Sequence, residues 1–201
     1  MSYRGPKAKK SRRLGVAITP KSQKYLETRP HPPGQHGGGR RRMNKMSDYG
    51  RQLQEKQRLR LQYNISESQL RRTYKNAASK GGSTPEVLIA LLETRLDAVV
   101  LRAGFARSIF AARQYVRHGH VNVNGKRVDI PSYQVKVGDE ISIREKSKEM
   151  DCFKYALSLA EKVPYIATNE NDLVAVLNYE PKREEIPVIC DVPVVVEFYS
   201  R

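Results

Sequence analysis

The chain has 201 residues, with 37 Lys and Arg against 21 Asp and Glu, a formal net charge of +16 and an isoelectric point of about 10.0. Charge this far from zero says nothing about fold, but it points to a polyanionic partner. The longest apolar run, Val87 to Leu92, falls short of the roughly 20 residues of a membrane span, the start MSYRGPKAKKSRR lacks the apolar segment of a secretory signal, and the only cysteines, Cys152 and Cys190, exclude a disulfide framework and fit a reduced, cytoplasmic setting.

Residues 1–60 carry 17 basic and 3 acidic groups, whereas residues 148–201 carry 6 and 10. This asymmetry suggests a nucleic-acid-binding arm on a more neutral body. Residues 1–46 have few apolar side chains, much Gly and Pro, and no sustained period. They are expected to form an extended arm that orders against its partner. Pro30, Pro32 and Pro33 stiffen it, and Gly37-Gly38-Gly39 then leads into Arg40, Arg41 and Arg42.

Ser47 and Asp48 suit a helix start. From there to Tyr63, the residues Tyr49, Leu53, Gln57 and Leu61 form a thin stripe at i, i+4 spacing, flanked by Arg51, Lys56, Arg58 and Arg60. Ser66 and Gln69 have capping-box spacing and open a second helix, which Gly81-Gly82 ends. Thr84, Pro85 and Glu86 begin the strongest helix. Its apolar residues Val87, Leu88, Leu91, Leu92, Leu96, Val99 and Val100 recur at helical spacing up to Gly104. Ser108 caps a further helix from Ile109 to His118. Val121 and Val123 then alternate into Asn124-Gly125, a strong hairpin signal. Ile141 and Ile143 read as another strand, residues 148–162 as helix, and Val174–Leu177 and Val194–Val196 as strands.

The helix after Ser108 gathers the chemistry. Arg113 and Arg117 are four apart with Gln114 beside them, His118 and His120 flank Gly119, and Arg107 precedes the cap. With Phe110 and Val116 inward, the arginines are expected to face out. Guanidinium groups match phosphate oxygens and stack on bases, and the free N–H groups from Ser108 to Ala111 add an anion site. An ordinary solvated basic helix is the competing reading.

The runs R-L-D-x-V-V-x-R-x-G-F-A (from Arg95), A-R-Q-x-V-x-H-G-H-x-x-V-N-G (from Ala112) and D-I-P-S-Y-x-V (from Asp129) resemble the RNA-binding module of the small-subunit ribosomal protein four family. Y-R-G-P-K at Tyr3, P-P-G-Q-H-G at Pro32, S-D-Y-G-x-Q-L-x-E-K-Q at Ser47 and the final V-E-F-Y-S-R resemble the same family, of bacterial type. The resemblance implies direct binding of small-subunit ribosomal RNA at a multi-helix junction of the 5′ domain, nucleation of body assembly, and influence on decoding accuracy. It places Tyr3, Arg4, Lys7, Arg12 and Arg13 in an RNA-clasping arm, and Tyr49, Gln54, Lys56 and Arg58 on a helical RNA face. Arg107, Ser108, Arg113, Gln114, Arg117, His118, His120 and Lys126 form the module's RNA surface. Arg40, Arg41, Arg42 and Lys45 lie where relatives face the channel by which messenger enters. Small-subunit ribosomal protein five and messenger RNA are the further partners implied. No RNA contact is assigned between about 148 and 190.

No cofactor or metal is expected. His31, His36, His118 and His120 lack a partnered Cys or carboxylate set at ligand spacing, and no Cys precedes Cys152 to build the zinc cluster that some relatives carry. Pseudouridine synthases join such a module to a catalytic domain with an aspartate in G-R-L-D. Here the glycine before Arg95-Leu96-Asp97 is missing and too few residues follow, so no enzyme is expected and Asp97 is assigned to holding the fold. A DNA reader with a basic second helix and a lone module that rescues stalled ribosomes are the remaining alternatives. The long Arg-rich arm fits folded RNA better than either, without DNA or membrane. Tyr3, Tyr49 and Tyr63 are candidate base-stacking residues, and Tyr115 is assigned to the core. The expected architecture is α+β, with a basic extended arm (1–46), a helical domain (47–93), an inserted helix-loop-helix and small-sheet module (94–147), and a C-terminal segment (148–201) packing back on the helical domain. Replacing Arg113 and Arg117 together is expected to weaken RNA binding without unfolding.

Overall fold

In the computed structural model, which describes residues 3, 5–35, 37, 46–161 and 163–200, the chain forms two units, 1–85 with 188–201 and 86–187. The first begins with α1 (Lys7–Leu14) and α2 (Pro20–Thr28), which pack together. The arm is thus helical in part, not extended throughout. Ser11 and Leu14 are buried, the Ser11 Oγ accepts from the Ile18 N–H, and Arg12 Nε donates to the Arg29 and His31 carbonyls. The arm builds this structure from polar contacts between distant residues, which a search for apolar periodicity does not register.

Ser47 caps α3 (Asp48–Gln62) by accepting from the Gly50 N–H. The α3 face that is buried carries Gln52, Glu55, Lys56 and Leu59, and the next turn buries Tyr63. Of the expected stripe, Leu61 is buried while Tyr49 is exposed. The burial of Tyr63 also removes it from the base-stacking candidates. The capping box at Ser66 and Gln69 is formed at the start of α4 (Glu67–Ser79), satisfying two otherwise free backbone donors.

The strong apolar pattern after Thr84 folds as two helices, α5 (Thr84–Glu93) and α6 (Leu96–Arg102). The break falls at Thr94 and Arg95. The Leu96 and Asp97 N–H groups donate to the Tyr133 and Pro131 carbonyls, and the Val135 N–H donates to the Thr94 carbonyl. Residues 131–135 thereby satisfy donors that begin α6 and replace the helical bonds lost at the break. Helix α7 (Ile109–Arg117) packs on α6 and leads into β1 (Val121–Val123) and β2 (Lys126–Arg127). Positive φ at Asn124 (49°) and Gly125 (75°) makes the two-residue turn, as the Asn-Gly pair predicts.

The chain continues through β3 (Glu140–Ile143), α8 (Glu145–Lys148), α9 (Asp151–Leu157), β4 (Ile166–Asn169) and β5 (Val174–Leu177). The five strands form one antiparallel sheet in the order β2-β1-β3-β5-β4. Val121, Val123, Ile141, Ile143, Ala175 and Leu177 are buried at alternating positions, the period-2 signature of a sheet with one covered face. The expected C-terminal segment 148–201 therefore divides: 148–187 completes the sheet unit, and 188–201 returns to the first.

That return ends in α10 (Val192–Ser200), which packs on α3. The strand expected at Val194–Val196 is helical. Three adjacent valines favour a strand locally, but Val192 and Val195 are buried one helical turn apart, and packing outweighs propensity. Polar residues of α3 hold the incoming segment: Gln62 Oε1 accepts from the Ile189 N–H and Glu55 Oε2 from the Asp191 N–H. Cys190 is buried, whereas Cys152 is half-buried.

Candidate nucleic-acid interface

In the sheet unit the candidate surface is built on the turn from α7 into β1. Ser108 caps α7 through the Ala111 N–H. Gln114, Arg117 and His118 are exposed. Gly119 takes φ 73°, and the Arg127 guanidinium lies where a Cβ on Gly119 would stand. The His120 ring is half-buried, with Nδ1 2.9 Å from Ser147 Oγ, and its carbonyl accepts from the Arg144 N–H. Burial lowers the His120 pKa, and the charges of His118 and Arg144 lower it further. The imidazole is therefore held neutral near pH 7. Tyr115 packs half-buried against Phe153, with ring centroids 4.9 Å apart. Arg107 is exposed with its guanidinium 4.8 Å from the centre of the exposed Tyr155 ring, a cation–π arrangement.

Arg113 turns inward. Its guanidinium reaches Asp97 Oδ2 at 3.3 Å, and Arg95 grips both Asp97 oxygens at 3.0 and 2.8 Å. Asp97 is fully buried. Burial raises its pKa against the pull of Arg95 and Arg113, and desolvation lowers that of Arg113. The role assigned to Asp97 is visible in this triad: it ties α7 to the start of α6. Glu93, also fully buried, pairs with Arg102 at 2.7 Å.

The first unit uses several of its expected RNA contacts internally. Lys56 is buried, paired with Glu67 at 2.9 Å and 4.1 Å from the centre of the Phe198 ring. Arg58 donates to the Leu14 carbonyl at 3.0 and 2.8 Å and pairs with Glu55, so it closes the C-terminus of α1. Gln54 also reaches that carbonyl, at 3.4 Å. Tyr49 is exposed and meets Phe198 at 5.9 Å. The N–H of Tyr3 donates to Asn64 Oδ1, Lys7 is half-buried, and Arg12 holds residues 29–32 as described. Arg13 is exposed.

Lys126 is exposed on β2. Arg4, His36, Arg40, Arg41, Arg42 and Lys45 lie outside the described residues. Two cations missed in the sequence, Arg127 and Arg144, lie at the α7–β1 turn. Register could have found the first: Arg127 pairs with Asn122, on the face of β1 opposite buried Val121 and Val123. Among the described residues no group of three or more His, Cys, Asp or Glu is placed to hold a metal, and no helix is long and apolar enough to cross a membrane.

A helix pair joined to a small antiparallel sheet, with cations at the helix-to-strand turn, defines an S4-type module. Residues 94–141 match the S4 domain, and residues 2–93 match the ribosomal protein S4/S9 N-terminal domain. The chain is 51 % identical over 201 aligned positions to small ribosomal subunit protein uS4 of Streptomyces avermitilis, covering 98 % of this chain and 97 % of that one. It is 51 % identical over 205 positions to the uS4 of Thermobifida fusca, covering all of both chains, and 48 % identical over 200 positions to that of a Geobacillus species, covering 99 % and 98 %. The chain belongs to the small ribosomal subunit protein uS4 family, a family of structural ribosomal proteins and not of enzymes.

Proposed function

We propose that this protein is a structural constituent of the small ribosomal subunit that binds its RNA early, at a multi-helix junction of the 5′ domain, and nucleates assembly of the subunit body. The observation that carries this reading is the α7–β1 turn, where Arg117, His118 and Arg127 stand at the surface of a unit pinned by the buried Asp97 triad. A surface fixed in this way reads RNA by shape and phosphate position, without a base code. The RNA surface runs through Arg107, Ser108, Gln114, Arg117, His118, His120 and Lys126, and gains Arg127 and Arg144. In the first unit, Lys7, Arg13, Tyr49 and Gln54 are further RNA contacts. The family resemblance supports three further readings: that Arg40, Arg41, Arg42 and Lys45 line the channel by which messenger enters, that small-subunit ribosomal protein five is a neighbour, and that the protein influences decoding accuracy in the cytoplasmic ribosome.

The test is binding of the purified protein to the 5′ domain of small-subunit ribosomal RNA, against scrambled RNA and duplex DNA of equal length, across a salt series. Phosphate neutralisation makes all binding salt-dependent. A preference for the ribosomal junction that survives high salt supports the reading. Equal binding to all three, lost together as salt rises, refutes it.

A further inference from the structure

An open cavity of about 400 Å³ lies between α1 and α3, within the range of small-ligand sites. Leu14, Leu53 and Leu61 give it apolar walls, Gln54 and Gln57 give it amide edges, and Lys10, Arg13 and Arg60 supply the charge. No acidic side chain is among its described lining residues. Two of its polar side chains, Gln57 and Arg13, stand ready. Among the described residues, no hydrogen bond engages the side chain of either. The Arg60 guanidinium is held by Glu67 at 3.3 Å.

We propose that this cavity takes one unstacked nucleotide of the RNA strand the protein binds, a reading that rests on the function proposed above. The combination matches the parts of a nucleotide. The leucine walls suit the flat faces of a base, and an amide carries both a donor and an acceptor for its edge. Lys10 and Arg13 at the rim suit the flanking phosphates. Sequence-specific RNA recognition works on such splayed bases, not on paired ones. The cavity thus adds a single point of base selection to an interface otherwise read by shape. A free nucleotide offers the same chemistry without the flanking strand, and the test separates the two sources.

The full chain is compared with Gln57→Ala, Leu53→Trp, which fills the cavity, and Arg117→Ala, which lies on the module surface. Binding to the 5′-domain RNA is measured across a salt series, and 2′-hydroxyl reactivity of the RNA is mapped in each complex. Thermal unfolding reports the fold, and Gln57→Ala carries the test should Leu53→Trp fail to fold. The expected result is a roughly tenfold loss of affinity for Gln57→Ala with an unchanged salt slope, and altered reactivity at one and the same nucleotide in both cavity variants. Adenosine and uridine monophosphates at millimolar concentration should not saturate the site. Wild-type affinity and reactivity in both cavity variants, with Arg117→Ala still weakened, would overturn the proposal while leaving RNA binding intact. Saturable binding of a free monophosphate, lost in Gln57→Ala while RNA affinity stays unchanged, would overturn the strand as its source. If wild type itself shows no preference for ribosomal RNA, the broader function fails as well.

Discussion

Arg113 and Arg117 sit one helical turn apart on α7, yet the structure predicts opposite phenotypes for them. Arg113→Ala removes one of two cationic partners from fully buried Asp97. Breaking a buried pair outright costs about 3–5 kcal/mol. Here Arg95 keeps both its bonds to Asp97, so the loss should be nearer that of one charge-assisted hydrogen bond, about 1.5–3 kcal/mol. At roughly 2–4 °C per kcal/mol for a chain of this size, the melting temperature should fall by about 3–12 °C. Arg117 is exposed, and Arg117→Ala should change stability by no more than about 0.5 kcal/mol. It should instead weaken RNA binding and flatten the slope of log affinity against log salt by about 0.7–0.9 for one lost phosphate contact. The double variant expected from the sequence to report on RNA alone should therefore mix both effects. Circular dichroism melts and a salt series of binding isotherms on the two single variants decide the matter. A stable Arg113→Ala protein whose salt slope flattens as much as that of Arg117→Ala would show that this guanidinium faces RNA, and would refute the inward assignment.

Arg58→Ala should expose the Leu14 carbonyl and loosen α1 and α2 from α3, at a cost of about 1–2 kcal/mol; limited proteolysis should then cut within residues 7–28 before the rest of the chain. Gly119→Ala should cost about 1–2 kcal/mol, because an alanine at φ 73° is strained and its Cβ meets the Arg127 guanidinium; urea unfolding measures the cost, and the RNA affinity of the folded protein should fall with the displaced arginine. Burial pushes the Glu67 carboxyl up, but bonds from Tyr199, Lys56 and Arg60 and the Lys56 charge prevail and hold it below its ordinary value of 4.5. A carboxyl depressed in the folded state stabilises it above the unfolded pKa, and that stability is lost as pH falls through the folded pKa. Glu67→Gln should therefore reduce the drop in urea midpoint below pH 4.5 without steepening it at neutral pH.

Much of the architecture was legible because its signals are local. The capping box at Ser66, the Asn124-Gly125 turn and the cap at Ser108 each lie within four residues, and all three formed. The break at Arg95 was hidden, because its compensation comes from Tyr133 and Pro131 far along the chain. The helix at Val192–Ser200 was hidden for the same reason: its valines read as strand until α3 is there to bury Val192 and Val195. In the candidate site, residue type marked the cations but not their direction. Arg107, Gln114, Arg117 and His118 are exposed, whereas Lys56, Arg58 and Arg113 turn toward Glu67, Leu14 and Asp97. Arg127 and Arg144 needed the sheet register and the turn to be noticed at all.

The inward cations change what a net charge of +16 means for binding. Each of Lys56, Arg102 and Arg113 faces an internal carboxylate, so it neutralises a protein group and releases no counterion from RNA. The salt slope should therefore follow the exposed set and fall well short of the full basic count. The buried arginine–carboxylate pairs still serve the interface indirectly. Removing one partner from such a pair is costly, so α6 and α7 cannot slide past one another without stripping buried Asp97 of its Arg113 bond. Arg117, His118 and Arg127 are thereby presented from a fixed frame, which recognition of a junction by shape requires. A polycation of equal charge without those pairs would bind RNA at low salt, but its phosphate contacts would have no set spacing and so no junction to prefer.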